Sequence, residues 1–189
     1  MSDNKLLCNG NGKVTGYVLS YPKAHEPDYI IPNEYSQYRF AIGKKGTSPL
    51  VAICMNPSAA RDTESDLTIN RIIGVSRTLG FDGWMVFNTY PERATNAKNL
   101  NSFDLNLSNE NLSIIKRFLV ENGIAEVWGA WGDDVNNQTL LNGKIQLISM
   151  LKSIGVKIYY FGTLTKKGNP RHPLQRYEKW DFSKKEYLD

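Results

Sequence analysis

Apolar positions along this chain fall into two alternating patterns, short continuous runs and longer segments with helical spacing. Four continuous runs predict buried strands, at 50–55, 84–87, 126–128 and 156–161. Three segments with apolar residues at i, i+3 and i+4 predict helices, at 66–79, 109–121 and 135–154. In the last of these, Leu140, Leu141, Ile145, Ile148 and Leu151 are expected to face inward. Asp66 or Ser65 can cap the first helix.

The alternation of strands and helices predicts an α/β fold. Such a pattern implies right-handed crossovers and a mainly parallel central sheet covered by helices on both faces, a three-layer α/β/α sandwich. Polar loops at 56–66, 89–104 and 162–176 each follow a predicted strand. We therefore expect these loops to open on the same edge of the sheet, where ligands of open α/β sheets lie.

Composition and periodicity place one domain at 36–177. Residues 1–35 lack steady periodicity and predict an irregular N-terminal arm, while 178–189 are interpreted as a C-terminal tail. Residues 38–43 alternate and meet the Lys44-Lys45-Gly46 turn, which predicts a hairpin at a sheet edge with the strand that follows.

The 189 residues, 41% of them hydrophobic, suffice for one domain with a single core. Two cysteines are too few for a disulfide framework or for a zinc or iron–sulfur site built from cysteine. The first residues carry no apolar signal core, and no run approaches the ~20 apolar residues of a membrane span. We expect a cytoplasmic protein with no membrane partner.

The net charge of +4 is unevenly distributed, because 135–177 contains basic residues and neither Asp nor Glu. The basic residues are Lys144, Lys152, Lys157, Lys166, Lys167, Arg171 and Arg176. Clustered positive charge favours phosphate or nucleic-acid partners. The alternative is a solvated basic surface with no ligand.

Three polar signatures follow apolar segments and suggest one shared site. They are Met55-Asn56-Pro57-Ser58, Phe87-Asn88-Thr89-Tyr90 and Pro170-Arg171-His172-Pro173. The Asn56 carboxamide can hold a water molecule, the Asn88 carboxamide can match a nucleobase edge, and a neutral His172 can donate to an oxygen where charge develops. Tyr90 can stack on a flat ring. Each residue also has an ordinary structural interpretation, in turn formation, loop hydrogen bonding, surface exposure or packing.

Other motifs restrict the kinds of catalytic, metal and cofactor site that the sequence predicts. Asp62 is a possible water-orienting carboxylate, whereas helix capping and solvation account for Glu64 and Asp66. The acidic loop lacks the glycine and terminal glutamate of a calcium loop, and the two histidines, His25 and His172, are too far apart for a histidine metal site. There is no Walker, dinucleotide or Gly-x-Ser-x-Gly motif, so we expect no cofactor and no metal.

A wider ordered set of motifs resembles a known family. The set is Met55-Asn56-Pro57-Ser58, Asp66-Leu67-Thr68, Asn88, Arg93-Ala94-Thr95, Trp131-Gly132 and Gly168-Asn169-Pro170-Arg171-His172-Pro173-Leu174. Over about 36–177 it resembles the DUF1643 family, a domain of unknown function. The order of the three strand-end signatures is also similar, more distantly, to that of the uracil-DNA glycosylase superfamily.

The glycosylase resemblance implies a glycosylase-like fold and specific roles. Asn56, with Asp62, would hold the hydrolytic water, Asn88 would read the base edge, and His172 would stabilise the departing base. Ala59 stands where classical uracil enzymes have tyrosine, so strict uracil selectivity is not implied.

The resemblance further implies that Lys166, Lys167 and Arg171 would contact phosphates of nucleic acid. The expected function is recognition of a nucleobase or nucleotide, with action on the N-glycosidic bond of a modified or mismatched base. The alternatives are a noncatalytic nucleotide or nucleic-acid binding protein and an enzyme acting on free nucleotides.

Overall fold

The computed structural model describes residues 5–8, 14–133, 136–174 and 180–188. The strands are β1 Lys5–Cys8, β2 Val14–Val18, β3 Tyr29–Ile31, β4 Ala41–Lys44, β5 Pro49–Cys54, β6 Gly83–Asn88, β7 Glu126–Gly129, β8 Lys157–Tyr160 and β9 Glu186–Tyr187. The helices are α1 Leu67–Thr78, α2 Leu105–Glu121 and α3 Gln138–Ser153, with a 3-10 turn at Ala97–Asn99. Within the described residues, no helix is long and apolar enough to cross a bilayer.

Seven strands form one mixed sheet in the order β3-β4-β6-β5-β7-β8-β9, and β1 pairs with β2 in a separate antiparallel sheet. The four central strands β6, β5, β7 and β8 are parallel to one another, whereas β3, β4 and β9 join by antiparallel pairing. Three of the six pairings in this sheet are therefore parallel. The fold is mixed α/β, with parallel pairing in the centre of the sheet and antiparallel pairing at both edges.

The central strand β5 illustrates why continuous apolar runs form this sheet. All six of its residues are buried. Leu50, Ala52 and Cys54 lie in an apolar cluster with residues of α1, whereas Val51 and Ile53 lie in a second cluster with residues of α2 and α3. Alternate side chains of a strand point to opposite faces, so each face has its own cluster. Full burial of each large aliphatic side chain contributes about 1.5–3 kcal/mol.

Capping side chains determine where the helices begin. Asp66 caps α1 by accepting a hydrogen bond from the Ile69 N–H at 2.8 Å, as its sequence position predicts. Asp104 accepts from two N–H groups and starts α2 at Leu105, four residues before the predicted start. Asn137 caps α3; position 135, the predicted start, lies outside the described residues. Ile145 on α3 is 55% exposed and does not face inward as expected.

The segments outside the predicted domain contain more regular structure than expected. Residues 1–35 contain β1, β2 and β3 rather than only an irregular arm, and β3 pairs with β4 in the main sheet. At the other end, β9 pairs with β8, and Trp180 is buried against the ring of Trp128 at 5.8 Å. The predicted hairpin is wrong in its partner, because β4 pairs with β3 and β6 while β6 separates it from β5.

The connections that follow β5 and β7 run in opposite directions along the sheet. After β5 the chain crosses through α1 to β6 on one side, and after β7 it crosses through α3 to β8 on the other. The loops that leave these two neighbouring strands therefore diverge. In open α/β sheets such a reversal of strand order is where ligands bind.

Candidate functional site

A cavity of about 250 Å³ is lined by residues at the carboxyl ends of β5 and β6 and by the loop after β8. Asn56, Asn88 and His172, which sequence reasoning placed in one site, all line it. Its buried lining residues, here called the floor, are Arg39, Cys54, Ile69, Val86 and Asn88. The partly exposed rim includes Asn56, Ser58, Asp66 and His172. The volume lies just below the range of drug-sized ligand sites and suits a small molecule or one part of a larger one.

Asn88 presents a complete carboxamide to this cavity. It is the last residue of β6 and is 1% exposed, and neither its Oδ1 nor its Nδ2 has a hydrogen-bond partner within the described chain. Its backbone is firmly held: its carbonyl oxygen accepts from Asn111 Nδ2 at 3.0 Å, and it pairs in register with Cys54. Buried carboxamides are normally hydrogen-bonded, so a donor and an acceptor fixed side by side point to a ligand.

Asn56 is oriented by its own loop. Its Nδ2 donates to the carbonyl oxygens of Pro57 at 3.1 Å and Ala94 at 2.7 Å. Because carbonyl oxygens only accept, these contacts determine which side of the amide carries nitrogen. Oδ1 receives no hydrogen bond from the described residues and remains an acceptor at the rim. It can bind a water molecule or a ligand N–H.

His172 is a neutral donor. Burial lowers the pKa of His172, and the negative charge of Asp66 opposes this shift only in part. The Leu174 N–H donates to Nδ1 at 3.3 Å, so the neutral ring carries its proton on Nε2. That N–H can donate to a ligand oxygen or nitrogen.

The loop after β7 holds the His172 loop in place. Gly132 has φ of 70° and its N–H donates to the Pro170 carbonyl oxygen at 2.9 Å. A Cβ on Gly132 would lie 3.1 Å from the His172 Cβ. Glycine is required here because the backbone is left-handed and the imidazole-bearing loop packs directly against it.

Arg39 is a functional candidate that sequence reasoning missed. It is 2% exposed, and its Nη1 donates to the Ala60 carbonyl oxygen at 2.9 Å while Nε has no partner in the described chain. Burial, and then the positive charge of Arg93, lower the pKa of Arg39 to about 10, so it remains charged at neutral pH. The available signal was a charged residue between Tyr38 and Phe40, two positions before β4.

The carboxylate at the cavity is Asp66. Its Oδ1 accepts from the Ile69 N–H as the cap of α1, and the residue lines the rim. Asp62, the expected water-orienting carboxylate, is exposed and lies outside the lining. The acidic loop thus contributes a different carboxylate from the one that its sequence suggested.

Most of the chain matches a known protein family. Residues 38–174 match the model of a family described as Protein of unknown function (DUF1643). The chain belongs to this family. No curated protein and no solved structure matches the chain. Every residue of the floor and rim lies within the DUF1643 segment, whereas β1, β2, β3 and β9 lie outside it.

Tyr90 lies within the DUF1643 segment but does not line the cavity. It is 1% exposed, its ring packs against Phe103 with centroids 5.7 Å apart, and its hydroxyl oxygen accepts from the Asp104 N–H at 3.0 Å. These contacts position the loop before α2. Its structure fits the packing interpretation rather than base stacking.

The expected phosphate-binding residues lie on the surface near His172 in sequence, outside the cavity lining. Lys166 and Lys167 are exposed, and Lys167 Nζ donates to Asn136 Oδ1 at 2.8 Å. Arg171 Nε donates to the Thr163 carbonyl oxygen at 2.8 Å, which braces the loop that carries His172. Arg176, also in the basic stretch, lies outside the described residues.

No group of three or more His, Cys, Asp or Glu side chains in the described part of the chain could hold a metal ion. Cys54 on the floor is a free thiol, and burial raises its pKa to about 12. A thiol held in its protonated form is a poor nucleophile, so its role at the cavity is steric.

Proposed function

We propose that this DUF1643 protein binds a nucleobase, alone or within a nucleotide, in the cavity that Asn88 lines. The partner-free carboxamide of Asn88 carries this proposal, because a buried donor and acceptor side by side match the hydrogen-bonding edge of a base. The rim supplies an acceptor on Asn56 and a donor on His172. The same order of signatures leads us to propose a three-layer, glycosylase-like arrangement.

The chemistry that we propose is hydrolysis of an N-glycosidic bond. When the bond between the sugar carbon and the base nitrogen breaks, its electron pair goes to the base and positive charge develops on the sugar. His172 Nε2–H would stabilise the base, and Asn56 Oδ1 would accept from the water whose oxygen bonds to the sugar carbon. The proton that this water loses is taken up by Asp66 or by solvent, and the base gains one in turn. The products are free base and the hydroxylated sugar.

An outer groove adjoins the cavity and gives room for the rest of such a ligand. It is lined by Leu19, Ala59, Leu67 and Leu174, and it shares Ser58, Asp66 and Thr68 with the cavity. Its volume is about 510 Å³. A base seated against Asn88 would leave its sugar toward this groove, where Leu67 and Leu174 are exposed.

The test is a panel of nucleosides and of oligonucleotides with modified or mismatched bases, read by mass spectrometry for released base and by calorimetry for binding. Asn56→Ala is expected to lose turnover and keep binding, and Asn88→Ala is expected to lose binding. Asp62→Ala, outside the cavity, is the matched control and should retain both activities. Binding without release in the whole panel would leave a noncatalytic binding protein. If no base binds, or if binding survives in Asn88→Ala, the proposal is refuted.

The exposed lysines beside the His172 loop favour a nucleic-acid substrate over a free nucleotide. Each phosphate that the protein neutralises on binding releases counterions and adds about 0.7–0.9 to the magnitude of the slope of log affinity against log salt. Lys166→Gln and Lys167→Gln together should therefore reduce this slope for an oligonucleotide by about 1–2. A slope near zero in the unchanged protein would instead favour a free nucleotide as the substrate.

A further inference from the structure

The floor of the cavity contains a positive charge that is paired with no carboxylate of the described residues. Arg39 is 2% exposed, and no carboxylate of the described residues lies within 4 Å of its guanidinium. Of its five N–H donors, one is used in the bond from Nη1 to the Ala60 carbonyl oxygen, and Nε has no partner in the described chain.

Buried charges in proteins are paired, because removing an ion from water is expensive unless an opposite charge compensates for it. The described surroundings of Arg39 instead add positive charge and place no carboxylate within ion-pair distance. Arg93 adds a second positive charge nearby, and Asp66 on the rim attracts the guanidinium only from beyond ion-pair distance. No described residue thus supplies the compensating anion, and an anion of the ligand can take this place.

A purely structural role for Arg39 would be largely redundant. The Ala60 carbonyl oxygen that it binds also accepts from Arg93 Nη1 at 2.9 Å, and Arg93 Nη1 further holds the Ser58 carbonyl oxygen at 2.7 Å. The loop at 58–60 therefore keeps two hydrogen bonds without Arg39. Arg93 does not line the cavity, whereas Arg39 does.

We propose that Arg39 binds an oxyanion of the ligand, so that the molecule taken by this cavity is an anionic base or a nucleotide rather than a neutral base or nucleoside. This inference rests on the proposed function, since it assigns the charge of the ligand that Asn88 reads. Guanidinium is the side chain best matched to carboxylate and phosphate oxygens, because its planar fork can donate two parallel hydrogen bonds.

The experiment compares neutral and anionic members of two probe pairs by calorimetry and thermal shift. One pair is uracil and uracil-6-carboxylate, in which the base carries the charge; the other is guanosine and guanosine 5′-monophosphate, in which the phosphate carries it. Inorganic phosphate is a fifth probe. In at least one pair the anionic member should bind about 10-fold or more tightly, the size expected of a hydrogen bond to a charged group.

Three variants then test whether the preference for the anionic probe depends on Arg39. Arg39→Gln should abolish it, and Arg39→Lys should retain part of it because the charge remains. Arg117→Gln, which removes an exposed arginine of α2 outside the cavity lining, is the control and should leave it unchanged. The melting temperature of ligand-free Arg39→Gln should equal or exceed that of the unchanged protein, because an uncompensated buried charge has been removed. Should Arg39→Gln fail to fold, a structural role for Arg39 is established and the proposal is overturned.

The remaining outcomes separate the two proposals. Neutral and anionic probes that bind equally, or a preference that persists in Arg39→Gln, would overturn the role of Arg39 while leaving base recognition intact. Arg39-dependent binding of phosphate with no binding of any base would support the anion site and refute base recognition. If none of the anionic probes shows Arg39-dependent binding, the oxyanion site is refuted.

Discussion

The sharpest consequence of the site geometry concerns Asn88, which we expect to weaken the fold that carries it. Its carboxamide is removed from water, yet no protein group in the described residues hydrogen-bonds either polar atom. Leucine has a similar size and no polar atoms. Beside the apolar floor residues Cys54, Ile69 and Val86, its side chain would be well accommodated. Asn88→Leu should therefore stabilise the ligand-free protein and abolish ligand binding.

The magnitude follows from the cost of an unsatisfied buried polar group, about 1–3 kcal/mol. Asn88→Leu should raise the free energy of unfolding by about this amount. For a chain of this length, 1 kcal/mol corresponds to about 2–4 °C in melting temperature, so the expected rise is about 2–12 °C. A functional residue that costs stability in this way is a familiar trade-off.

Urea denaturation followed by tryptophan fluorescence gives the free energy, and thermal melts give the temperature shift. Thr89→Val is the matched control, because Thr89 is the next residue, is 2% exposed, and has a partner: its hydroxyl donates to the Met55 carbonyl oxygen at 2.6 Å. This control should lose about 1 kcal/mol. If Asn88→Leu instead lost 1 kcal/mol or more, Asn88 would be a structural residue and the reasoning would be refuted.

Three further predictions address the loops and helices around the cavity. Burial lowers the pKa of His172 from 6.5, so the unfolded state binds more protons below about pH 6.5, and the protein loses stability as the pH falls through this range. In urea melts, His172→Gln should therefore lose less stability on acidification than the unchanged protein. Equal losses would contradict this prediction. Gly132→Ala should lower the free energy of unfolding by about 1–2 kcal/mol through backbone strain, and should also weaken ligand binding because the new Cβ meets the His172 loop. Gly168 has a similar φ and open space around its Cβ, so Gly168→Ala should lower stability by the same amount and leave ligand binding unchanged. Asp104→Ala removes the cap of α2 and should lower the free energy of unfolding by about 1 kcal/mol, with ligand affinity unchanged.

The centre of the fold was predictable because its signals are local. Continuous apolar runs predicted β5 and β6 within one or two residues, since both strands are buried on both faces. The cap and apolar spacing of α1 predicted that helix in the same way. Each of these elements carries its own pattern, so the sequence could be interpreted without knowing its neighbours.

The edges of the sheet were not predictable because their stabilisation is not local. β3 has three residues and β9 has two, too few to show a period, and each is stabilised by pairing with a strand elsewhere in the chain. The same limitation explains the wrong hairpin partner of β4. Its turn leads directly to β5, but the insertion of β6 between them is a property of the whole sheet.

The site residues also differ in whether their sequence signal is local. Asn56, Asn88 and His172 follow strands or strand-like runs, so the rule that carboxyl ends share one edge was enough to expect them together. Arg39 precedes a strand, and only the loop that brings the Ala60 carbonyl oxygen to it makes it a floor residue. A charge buried by distant loops leaves no local signal beyond its apolar neighbours.

The hydrogen-bonding character of the cavity restricts its ligand further than any single residue does. Arg39 and His172 Nε2 can only donate, Asn56 Oδ1 can only accept, and Asn88 does both. A ligand that satisfies all four must therefore present oxygen or nitrogen acceptors together with at least one N–H or O–H donor. Inorganic phosphate alone offers no flat edge for the carboxamide, and an apolar ring would leave all four unpaired. Under the roles proposed above, a lactam heterocycle that also carries a carboxylate or a phosphate meets the requirement, because its adjacent C=O and N–H pair with Asn88 and its charged oxygens pair with Arg39.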